Sequence, residues 1–370
     1  MTTATAGPTV TPAEQAAMER ALTLAATPGL DLGPNPRVGC VLLDADGATL
    51  AEGFHRGAGT PHAEAVALTN ARHAHGPAAL RGATAVVTLE PCAHTGRTGP
   101  CAEALRDAGV SRVVFAQPDP NPQAAGGADV LRAAGVTVVG EVRADAARAL
   151  NHAWSAAVTL GRPFVTWKVA TTLDGRSAAA DGTSRWITSA AARRDVHRLR
   201  AEADTVLVGT GTLLDDDPSL TVRDAPGPQP LRAVMGLREI PATARLAGPG
   251  PDGAAARHLR TRDPRAALTR LWDLDRRHVL LEGGATLAAA FLRAGLVDEI
   301  VAYVSPTLLG AGTAAVGDLG ITTITDAARF DLVDATVVDP TPDDLATPDG
   351  PASGLAATNL RLTLRPRKES

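Results

Sequence analysis

The chain of 370 residues lacks several features that would place it in a broad class at once. It contains no run of about 18 apolar residues, so no membrane-spanning helix is predicted. Its N-terminus has no basic start followed by an apolar stretch, which argues against a secretory signal peptide. The three cysteines are too few, and odd in number, for a disulfide framework. In a chain that we expect to be cytoplasmic, they are predicted to bind a metal or to be buried.

An excess of charge of one sign is also missing. The formal net charge is −4, which gives no electrostatic reason to expect a nucleic-acid partner. No internal repeat is found, and no Gly-x-Gly-x-x-Gly follows a predicted strand, so a Rossmann site is not expected. The hydrophobic content of 45% and charged content of 21% are typical of a globular protein, and the length favours two domains.

Strand and helix patterns alternate along the first part of the chain and predict an α/β domain. Thr11 can cap a helix, Pro12 suits its first turn and Glu14 can complete a capping box, so a helix is predicted over 11–26. Apolar runs predict strands at 38–47, where an Asp-Gly turn follows, and at 83–90, 111–120 and 136–142. Helices are predicted between them at 62–74, 101–109 and 127–135.

A second α/β series follows a predicted helical connector at 145–163, which ends in Gly-Pro. The predicted strands of this series lie at 164–175, 204–212, 230–236, 278–284 and 299–306. Such alternation is typical of a parallel or mixed sheet covered by helices on both faces. The sequence therefore predicts two domains, residues 1–155 and 156–370. Stretches rich in Pro, Gly and Asp predict loops at 241–264 and 339–354.

His62, Cys92 and Cys101 form a candidate metal site. Catalytic zinc takes three protein ligands and keeps a fourth position for water. Cys92 in "PCAHTG" and Cys101 in "CAEAL" are both interpreted as lying at helix starts, where backbone N–H groups favour a sulfur anion. Glu64 follows His62 by two residues and is predicted to take a proton from the water and to deliver one to a departing amine.

Other interpretations of these residues stay open from spacing alone. Nucleobase deaminases carry His-x-Glu followed by Pro-Cys-x-x-Cys, but here eight residues separate the two cysteines, so the simple pattern fails. A free cysteine is commonly a small buried hydrophobe, and Cys40, in a predicted strand, is assigned to the core. His94 lies beside Cys92 and could compete as a ligand or lie near a substrate.

The eight-residue spacer "AHTGRTGP" points to a known family. With "NPRVGCVL" at 35–42, "GFH" and "HAE" before it, the chain resembles the bifunctional riboflavin-biosynthesis deaminase/reductases, although Gly99 replaces the first of two prolines in their pattern. "RPFVTWKVATTLDGRSA", "GTSRWITS" and "LEGGATLAAAFL" resemble the reductase half. The resemblance implies a cytidine-deaminase-like three-layer α/β domain followed by a dihydrofolate-reductase-like α/β domain. It further implies zinc-dependent deamination of a phosphoribosylamino-pyrimidine, then reduction of its sugar to a ribityl chain with NADPH.

The resemblance also implies residues that contact the substrate. Asn35 offers an amide donor and acceptor to a pyrimidine edge, although a turn alone would explain Asn before Pro. His55 is assigned to the substrate or to a structural hydrogen bond. In the reductase half Lys168 is expected to meet the ribose or phosphate and to serve catalysis. The other residues on the substrate side are Ser184, Arg200, Leu220, Arg223 and Glu282, with both arginines as candidates to grip the phosphate through forked donors.

A strand that runs into Gly283–Gly284 and then a helix near Ala285 is the best candidate for the nucleotide phosphates, because free N–H groups at a helix start favour anions. A plain strand-to-helix turn is the alternative. By resemblance the cofactor side comprises Ala170, Trp186, Thr212, Asp216, Gly284, Ala285, Thr286 and Leu287. Where family members often show Asp-Ser, this chain has Gly236–Leu237, which puts one polar contact to the cofactor in doubt.

Two rival functions compete with this interpretation. A tRNA or free-base zinc deaminase would share the metal motif, but it would need a basic surface and would leave the second domain unexplained. A non-catalytic scaffold stabilised by zinc would normally use four protein ligands and no poised carboxylate.

The resemblance also implies a homo-oligomer.

Overall fold

The structure is a computed structural model that describes residues 9–94, 99–339 and 358–367. The chain divides into two compact units, Met1–Gly161 and Arg162–Ser370. The predicted division after residue 155 lies inside the last helix of the first unit, which continues to Leu160 before Gly161 adopts a left-handed conformation with φ 64°. No helix in the described part of the chain is long and apolar enough to cross a membrane.

The first unit is built on a five-stranded mixed sheet with the order β2-β1-β3-β4-β5. Its strands are β1 (Gly39–Leu43), β2 (Thr49–Phe54), β3 (Thr84–Leu89), β4 (Arg112–Gln117) and β5 (Thr137–Val139). Strand β1 is antiparallel to both β2 and β3, whereas β3, β4 and β5 are mutually parallel. The start of β1 therefore lies level with the ends of β2 and β3 at one edge of the sheet.

The helices of this unit follow the predicted pattern except in the connector. They are α1 (Pro12–Ala25), α2 (Ala63–His75), α3 (Cys101–Asp107), α4 (Gly127–Ala133), α5 (Ala144–Leu150) and α6 (His152–Leu160), with a 3-10 turn at Pro77–Leu80. The capping box at Thr11 and Glu14 is present, as predicted. The connector predicted over 145–163 is helical, but Asn151 leaves the helical conformation and divides it into α5 and α6.

Helices cover both faces of this sheet and confirm the three-layer prediction. Successive side chains of a strand point to opposite faces. Cys40 and Leu42 accordingly pack with α2 and α3, whereas Val41 and Leu43 pack with α1. Cys40 is fully buried in this core, as predicted.

The second unit is built on an eight-stranded sheet with the order β10-β9-β8-β11-β6-β12-β15-β14. The first six strands in this order are parallel, and the last two are antiparallel to their neighbours. The strands are β6 (Phe164–Thr172), β7 (Arg176–Ala178), β8 (Thr205–Gly209), β9 (Leu231–Met235), β10 (Arg257–Leu259), β11 (His278–Leu281), β12 (Glu299–Ser305), β13 (Thr313–Ala314), β14 (Phe330–Val338) and β15 (Asn359–Pro366). Strands β7 and β13 form a separate pair.

In the described part of the second unit, four helices cover both faces of its sheet. They are α7 (Ala190–Glu202), α8 (Thr210–Asp216), α9 (Pro264–Asp273) and α10 (Ala285–Arg293), with 3-10 turns at Arg245–Ala247 and Ile324–Asp326. One core joins α9 and α10 to the sheet, and the other joins α7 and α8 to its opposite face. The five strands predicted in this half are present. The loop predicted at 241–264 contains β10, which sequence analysis missed, and the loop predicted at 339–354 lies, after residue 339, outside the described residues.

Close contact between α1 and β1 requires a glycine at position 39. A Cβ atom added to Gly39 would lie 2.1 Å from the carbonyl oxygen of Ala21 in α1, whereas one added to Gly99 would meet no atom within 4 Å. We expect Gly39→Ala to lower the free energy of unfolding of the first unit by about 1–3 kcal/mol, because overpacking forces backbone shifts. Denaturant unfolding measures the change. Gly99→Ala is the matched control and should be near wild type; an equal loss in both variants would contradict the steric explanation.

Candidate active sites

Three side chains from separate parts of the first unit converge on one point. The Nδ1 atom of His62 lies 3.3 Å from Cys101 Sγ and 3.7 Å from Cys92 Sγ. All three donor atoms lie within 4.8 Å of one another. These separations agree with the roughly 3.5 Å expected between the nitrogen and sulfur ligands of one tetrahedral zinc ion. The donor types and their spacing therefore fit a zinc ion.

The edge of the sheet explains why these residues meet. Cys92 follows the end of β3, His62 immediately precedes α2, and Cys101 is the first residue of α3. The backbone N–H of Cys101 donates to the sulfur of Cys92 at 3.4 Å. Hydrogen bonds from Cys101 and His62 lower the pKa of the Cys92 thiol, whereas the pKa of Cys101 is raised, as in two groups that share one proton.

The prediction that Cys92 begins a helix is wrong. Residues 91–94 form a loop, in which the N–H of Ala93 donates to the carbonyl oxygen of Ala124. A helix start is nevertheless close to this sulfur, because the Cys101 N–H belongs to the first turn of α3. His94 in the same loop is exposed and does not belong to the cluster of three donors. The spacer residues 95–98 lie outside the described residues.

Glu64 is a buried carboxylic acid beside the cluster. It lies in the first turn of α2 and is only 4% exposed. Burial raises the pKa of Glu64 to about 6, although a hydrogen bond with Cys101 and the charge of His62 oppose the shift. A carboxyl with this pKa is mostly ionised at neutral pH and can still accept a proton during a reaction.

Asn35 and His55 form a hydrogen-bonded pair at the same edge of the sheet. The Nδ1 atom of His55 lies 3.1 Å from the carbonyl oxygen of Pro61, which can only accept a hydrogen bond. His55 Nδ1 must therefore carry the proton, and His55 Nε2 accepts from the Asn35 side-chain amide at 3.0 Å. The amide oxygen of Asn35 is not used in this pair. Burial, together with the charge of His62, lowers the pKa of His55 and keeps the ring neutral.

The connector helix α6 fixes the loop that carries Asn35. The side chain of Asn151 accepts from the N–H of Arg37 at 2.8 Å and donates to its carbonyl oxygen at 2.9 Å. The indole N–H of Trp154 donates to the carbonyl oxygen of Pro34 at 2.9 Å. Sequence analysis missed these supports because nothing in a helical pattern shows which loop it will contact.

Two further acidic residues near the cluster were also missed. Glu90 is buried and accepts N–H bonds from Asp119, Gly126 and Ala128, which ties the loop after β4 to the end of β3. Burial, with the nearby charges of Glu90 and Cys92, raises the pKa of Asp119 to about 6. The turn-rich "PDPNP" at 118–122 is the sequence signal that could have drawn attention to this loop.

In the second unit, charged side chains meet where β11 ends beside the middle of β6. Trp167 pairs with Leu281 in these adjacent parallel strands, so Lys168 and Glu282 follow side by side. Burial lowers the pKa of Lys168, and Arg200 adds to this effect, while Glu282 and Asp216 oppose it. Burial raises the pKa of Glu282, but the charge and hydrogen bonds of Arg200, together with the charge of Lys168, lower it by more, so the net shift is downward.

The two predicted phosphate-binding arginines, Arg200 and Arg223, differ in their exposure and in their partners. The Arg200 guanidinium faces Glu282 with two bonds of 2.6 and 2.9 Å, donates to the carbonyl oxygen of Thr221, and is only 12% exposed. The two Arg200 N–H groups that could bind a phosphate together are therefore already bonded to a carboxylate. Arg223 is exposed and forms no ion pair with another residue in the described ranges. Leu220, in the same loop, is buried with φ 54°.

Two helix starts lie side by side on the predicted cofactor side. Helix α8 follows β8, helix α10 follows β11, and these two strands are neighbours in the sheet. The N–H of Gly284 donates to the hydroxyl of Thr212 at 3.2 Å. No side chain caps α10 within the described part of the chain, so the amides of Ala285 and Thr286 are available to an anion. The Leu287 side chain packs against Gly283 and Gly209.

The remaining predicted residues lie on β6, α8 and the loop after β7. Ala170 is two residues after Lys168 on β6, so both side chains point to the same face. Asp216 ends α8, and its carbonyl oxygen accepts from Arg185 at 3.3 Å. Trp186 is 40% exposed beneath the Arg193 guanidinium, 4.4 Å from the ring centre. Ser184, two residues earlier, is half-buried, and its carbonyl oxygen accepts from the N–H of Ile187.

The backbone at the unusual Gly236–Leu237 position suits glycine. Gly236 has φ 148°, and a Cβ atom there would lie 2.6 Å from Thr210 Cγ2. Its N–H donates to Leu259 and its carbonyl oxygen lies 2.9 Å from His258 Nε2. An aspartate or another L-residue would therefore need a local rearrangement.

Comparisons with known proteins agree with this geometry. Residues 11–117 match the cytidine and deoxycytidylate deaminase zinc-binding region, and residues 163–341 match the RibD C-terminal domain. The riboflavin biosynthesis protein RibD of Mycobacterium tuberculosis is 52% identical over 309 residues, which cover 81% of this chain and 88% of that protein. The chain belongs to the RibD family.

Further RibD proteins extend the similarity over nearly the whole chain. The Escherichia coli relative is 40% identical over 348 residues, covering 85% of this chain and 93% of the relative. The Acinetobacter baumannii RibD structure matches with a TM-score of 0.81 and 39% identity, covering 96% of this chain and 99% of the other. A Thermotoga maritima structure described as a diaminohydroxyphosphoribosylaminopyrimidine deaminase and 5-amino-6-(5-phosphoribosylamino)uracil reductase has the same TM-score and coverage at 30% identity.

Membership of the RibD family settles the broad function. The chain is a bifunctional riboflavin-biosynthesis enzyme, with a zinc-binding deaminase domain followed by a reductase domain whose family uses NADPH. The predicted fold class, hydrolase and oxidoreductase activities and cofactors are confirmed. The rival interpretations as a tRNA or free-base deaminase and as a zinc scaffold do not account for the reductase domain.

Proposed function

We propose that the first unit deaminates 2,5-diamino-6-(5-phosphoribosylamino)pyrimidin-4-one and that the second unit reduces the ribosyl side chain of the product to ribityl. The observation that carries the proposal is the convergence of His62, Cys92 and Cys101 beside the buried Glu64. The same substrates appear in the description of the Thermotoga maritima relative, which supports the assignment.

In the deaminase half, His62, Cys92 and Cys101 would hold the zinc ion. Zinc in such a site lowers the pKa of water, so that hydroxide is available near neutral pH. Glu64 accepts the proton of the attacking water and then delivers a proton to the departing amine. Its raised pKa of about 6 suits both steps, because the proton is neither held too tightly nor released too easily.

Asn35 and His55 orient the pyrimidine. Asn35 presents its free amide oxygen to a donor on the ring edge, while its amide nitrogen is engaged by His55. His55 acts through Asn35, because Asn35 and Pro61 occupy both of its ring nitrogens. This division of roles explains why a buried, neutral imidazole is needed at position 55.

In the reductase half, Lys168 on β6 and Glu282, directly after β11, contact the ribose of the substrate. Arg200 holds Glu282 in place, and the exposed Arg223 binds the phosphate. Ser184 and Leu220 complete the substrate side. This arrangement follows from the occupied fork of Arg200, which leaves Arg223 as the better partner for a phosphate.

NADPH supplies the hydride for the reduction. The amides of Ala285 and Thr286, with Gly284 and Leu287, would hold its phosphates at the start of α10. The other residues on the cofactor side are Ala170, Trp186, Thr212 and Asp216. The Thr212 hydroxyl orients the Gly284 amide and so shapes this junction.

The proposal also covers the two domains, the partners, the cellular location and the assembly of the enzyme. We place the deaminase in the first unit and the reductase in the second, with a small-molecule substrate and no nucleic-acid or membrane partner; the net charge of −4 gives no reason to expect nucleic acid. A cytoplasmic location suits a zinc site with two thiol ligands, since that compartment keeps thiols reduced. We further propose a homo-oligomer, because β14 ends the sheet and exposes Leu332, Val333 and Val337 by 59%, 50% and 58%.

Replacing Glu64 tests the deaminase mechanism. We expect Glu64→Gln to retain one zinc per chain and to lower ammonia release at least about a hundredfold, because the amide cannot accept and return the proton. Elemental analysis and an ammonia assay measure the two quantities, and NADPH oxidation on pre-deaminated substrate should stay normal. Glu103→Gln, an exposed glutamate in the first turn of α3, is the matched control. Near-normal deamination by Glu64→Gln would refute the proton role.

Replacing Lys168 tests the reductase site. We expect Lys168→Ala to slow NADPH oxidation about a hundredfold, since it removes a half-buried cation from the reacting face, with ammonia release and zinc content unchanged. Lys168→Arg keeps the charge but changes its shape and should restore only part of the rate. An unimpaired reductase in Lys168→Ala would exclude Lys168 from the site.

Placing a charge on the exposed edge strand tests the assembly. We expect wild type to be oligomeric by light scattering and Val337→Asp to shift it towards the monomer, because a carboxylate in an apolar contact is costly to desolvate. Leu274→Asp, at another exposed apolar position, should keep the wild-type mass. A monomeric wild type at micromolar concentration would contradict the proposal.

A further inference from the structure

Side chains from elsewhere in the second unit bind the backbone of three successive residues in the loop that carries Leu220 and Arg223. Arg200 donates to the carbonyl oxygen of Thr221 at 3.0 Å. The side chain of Gln229 then binds both backbone groups of the next residue, residue 222, at 2.9 Å each.

The third support for this loop is a histidine. The backbone N–H of Arg223 donates to the Nδ1 atom of His197 at 3.3 Å. His197 and Arg200 lie three residues apart on α7 and so share one face of the helix. This face holds a loop whose residue 220 has a positive φ of 54°, a conformation that persists only where surrounding contacts maintain it.

The contacts of His197 define its protonation state. Its ring is 5% exposed, and its Nε2 atom lies 3.4 Å from the Asp224 carboxylate. Because Nδ1 accepts the Arg223 N–H, the neutral ring must carry its proton on Nε2, directed at Asp224. A second proton could go only to Nδ1, where it would face the N–H of Arg223 and break that bond.

Four charged groups face His197, and burial with the two cations among them favours the neutral ring. They are Arg200 on the same helix, Arg223 and Asp224 in the loop, and Glu282 after β11. Burial lowers the pKa of His197, and the charges of Arg200 and Arg223 add to the shift, while Asp224 and Glu282 oppose it. His197 is therefore neutral at physiological pH and is a hydrogen-bond acceptor there.

We propose that His197 is a positioning residue of the reductase, which holds the backbone of Arg223 so that its guanidinium meets the substrate phosphate. This inference rests on the proposed role of Arg223 as the phosphate ligand. His197 itself does not touch the substrate. An acceptor that carries no charge suits this place, since a carboxylate would pair with the Arg223 guanidinium or repel the phosphate.

The protonation of His197 gives the proposal a signature in pH. Above the pKa of the ring, Nδ1 accepts the Arg223 N–H and the loop is held; as the pH falls through that pKa, the acceptor is lost. The KM for the phosphorylated substrate should therefore rise on acidification. The substrate phosphate also titrates near pH 6, as phosphate monoesters do, so the effect of the enzyme must be measured against a variant that cannot titrate.

The experiment compares His197→Ala and His197→Asn in the full-length, zinc-loaded chain. An asparagine oxygen can accept the Arg223 N–H but takes up no proton in this range. We expect His197→Ala to raise the KM for the phosphorylated substrate about five- to tenfold with little change in kcat or in the KM for NADPH. At about pH 7.5, the KM of His197→Asn for the phosphorylated substrate should be close to that of wild type. Between about pH 7 and about pH 5, its KM should rise only by the amount that titration of the substrate phosphate causes.

A substrate without the phosphate separates positioning from general damage. The kcat/KM of His197→Ala for the dephosphorylated analogue should equal that of wild type. A merely structural defect would instead lower kcat/KM equally for the phosphorylated and dephosphorylated substrates. Arg198→Ala, on the exposed side of α7, is the matched control. Ammonia release by the same chains reports that the first unit is intact.

Three results would overturn the inference, and they can be told apart from failure of the proposed function. If Arg223→Ala leaves the KM for phosphorylated substrate unchanged, the phosphate assignment fails and the role of His197 fails with it. If Arg223→Ala raises this KM but His197→Ala does not, only the positioning role falls. If His197→Ala and His197→Asn both lose kcat/KM equally on the phosphorylated and dephosphorylated substrates, the positioning role is also rejected.

Discussion

Both sites depend on one constraint, namely that neighbouring strands running in the same direction end at the same edge of a sheet. In the first unit, β3 ends shortly before Cys92, and the parallel strand β4 ends beside it. In the second unit, the parallel strands β8 and β11 end close together, and the register of β11 with β6 places Lys168 beside Glu282 although they are far apart in the sequence. Helix starts at the same edges add N–H groups that favour anions: a sulfur at α3 and, as we propose, nucleotide phosphates at α10.

The cost of placing charges at these edges shapes the residues around them. Arg200 and Glu282 are both nearly buried and would be costly to desolvate singly, but two hydrogen bonds join them. Removing Glu282 would leave the Arg200 cation unpaired near Lys168, and removing Arg200 would leave the Glu282 carboxylate without its two hydrogen bonds. The pair is therefore better understood as a device that fixes the orientation of Glu282 than as a source of stability. Glu64 has no such cation among its hydrogen-bond partners, and its pKa rises accordingly.

Local signals in the sequence were enough for the metal site and for most of the fold. His62, Glu64 and the two cysteines lie in short motifs, and apolar runs marked the strands that form both cores. The roles of individual residues could not be predicted in this way, since they depend on tertiary contacts. The occupied fork of Arg200, the support of Asn35 by α6, and the division of the connector at Asn151 each involve a partner distant in sequence.

Strands whose sequences lack a clear apolar pattern were missed for a related reason. Strand β10 is three residues long, and β14 is almost wholly exposed, so neither shows the alternation of a half-buried strand. Strand β14 owes its conformation to its pairing with β15 along one edge. Its apolar residues then lie on a surface and not in a core, which is a property that no count of hydrophobic residues along the chain can reveal.

The two buried histidines illustrate how a neutral ring can organise a site without entering the chemistry. His55 accepts from Asn35 and donates to a carbonyl oxygen; His197 accepts from a backbone N–H and directs its proton at a carboxylate. In each case burial lowers the pKa, and this keeps one ring nitrogen free to accept. A glutamate in either place would bring a negative charge close to the thiols or to the phosphate. An imidazole offers the acceptor without that charge, but it ties the geometry of the neighbouring residue to pH.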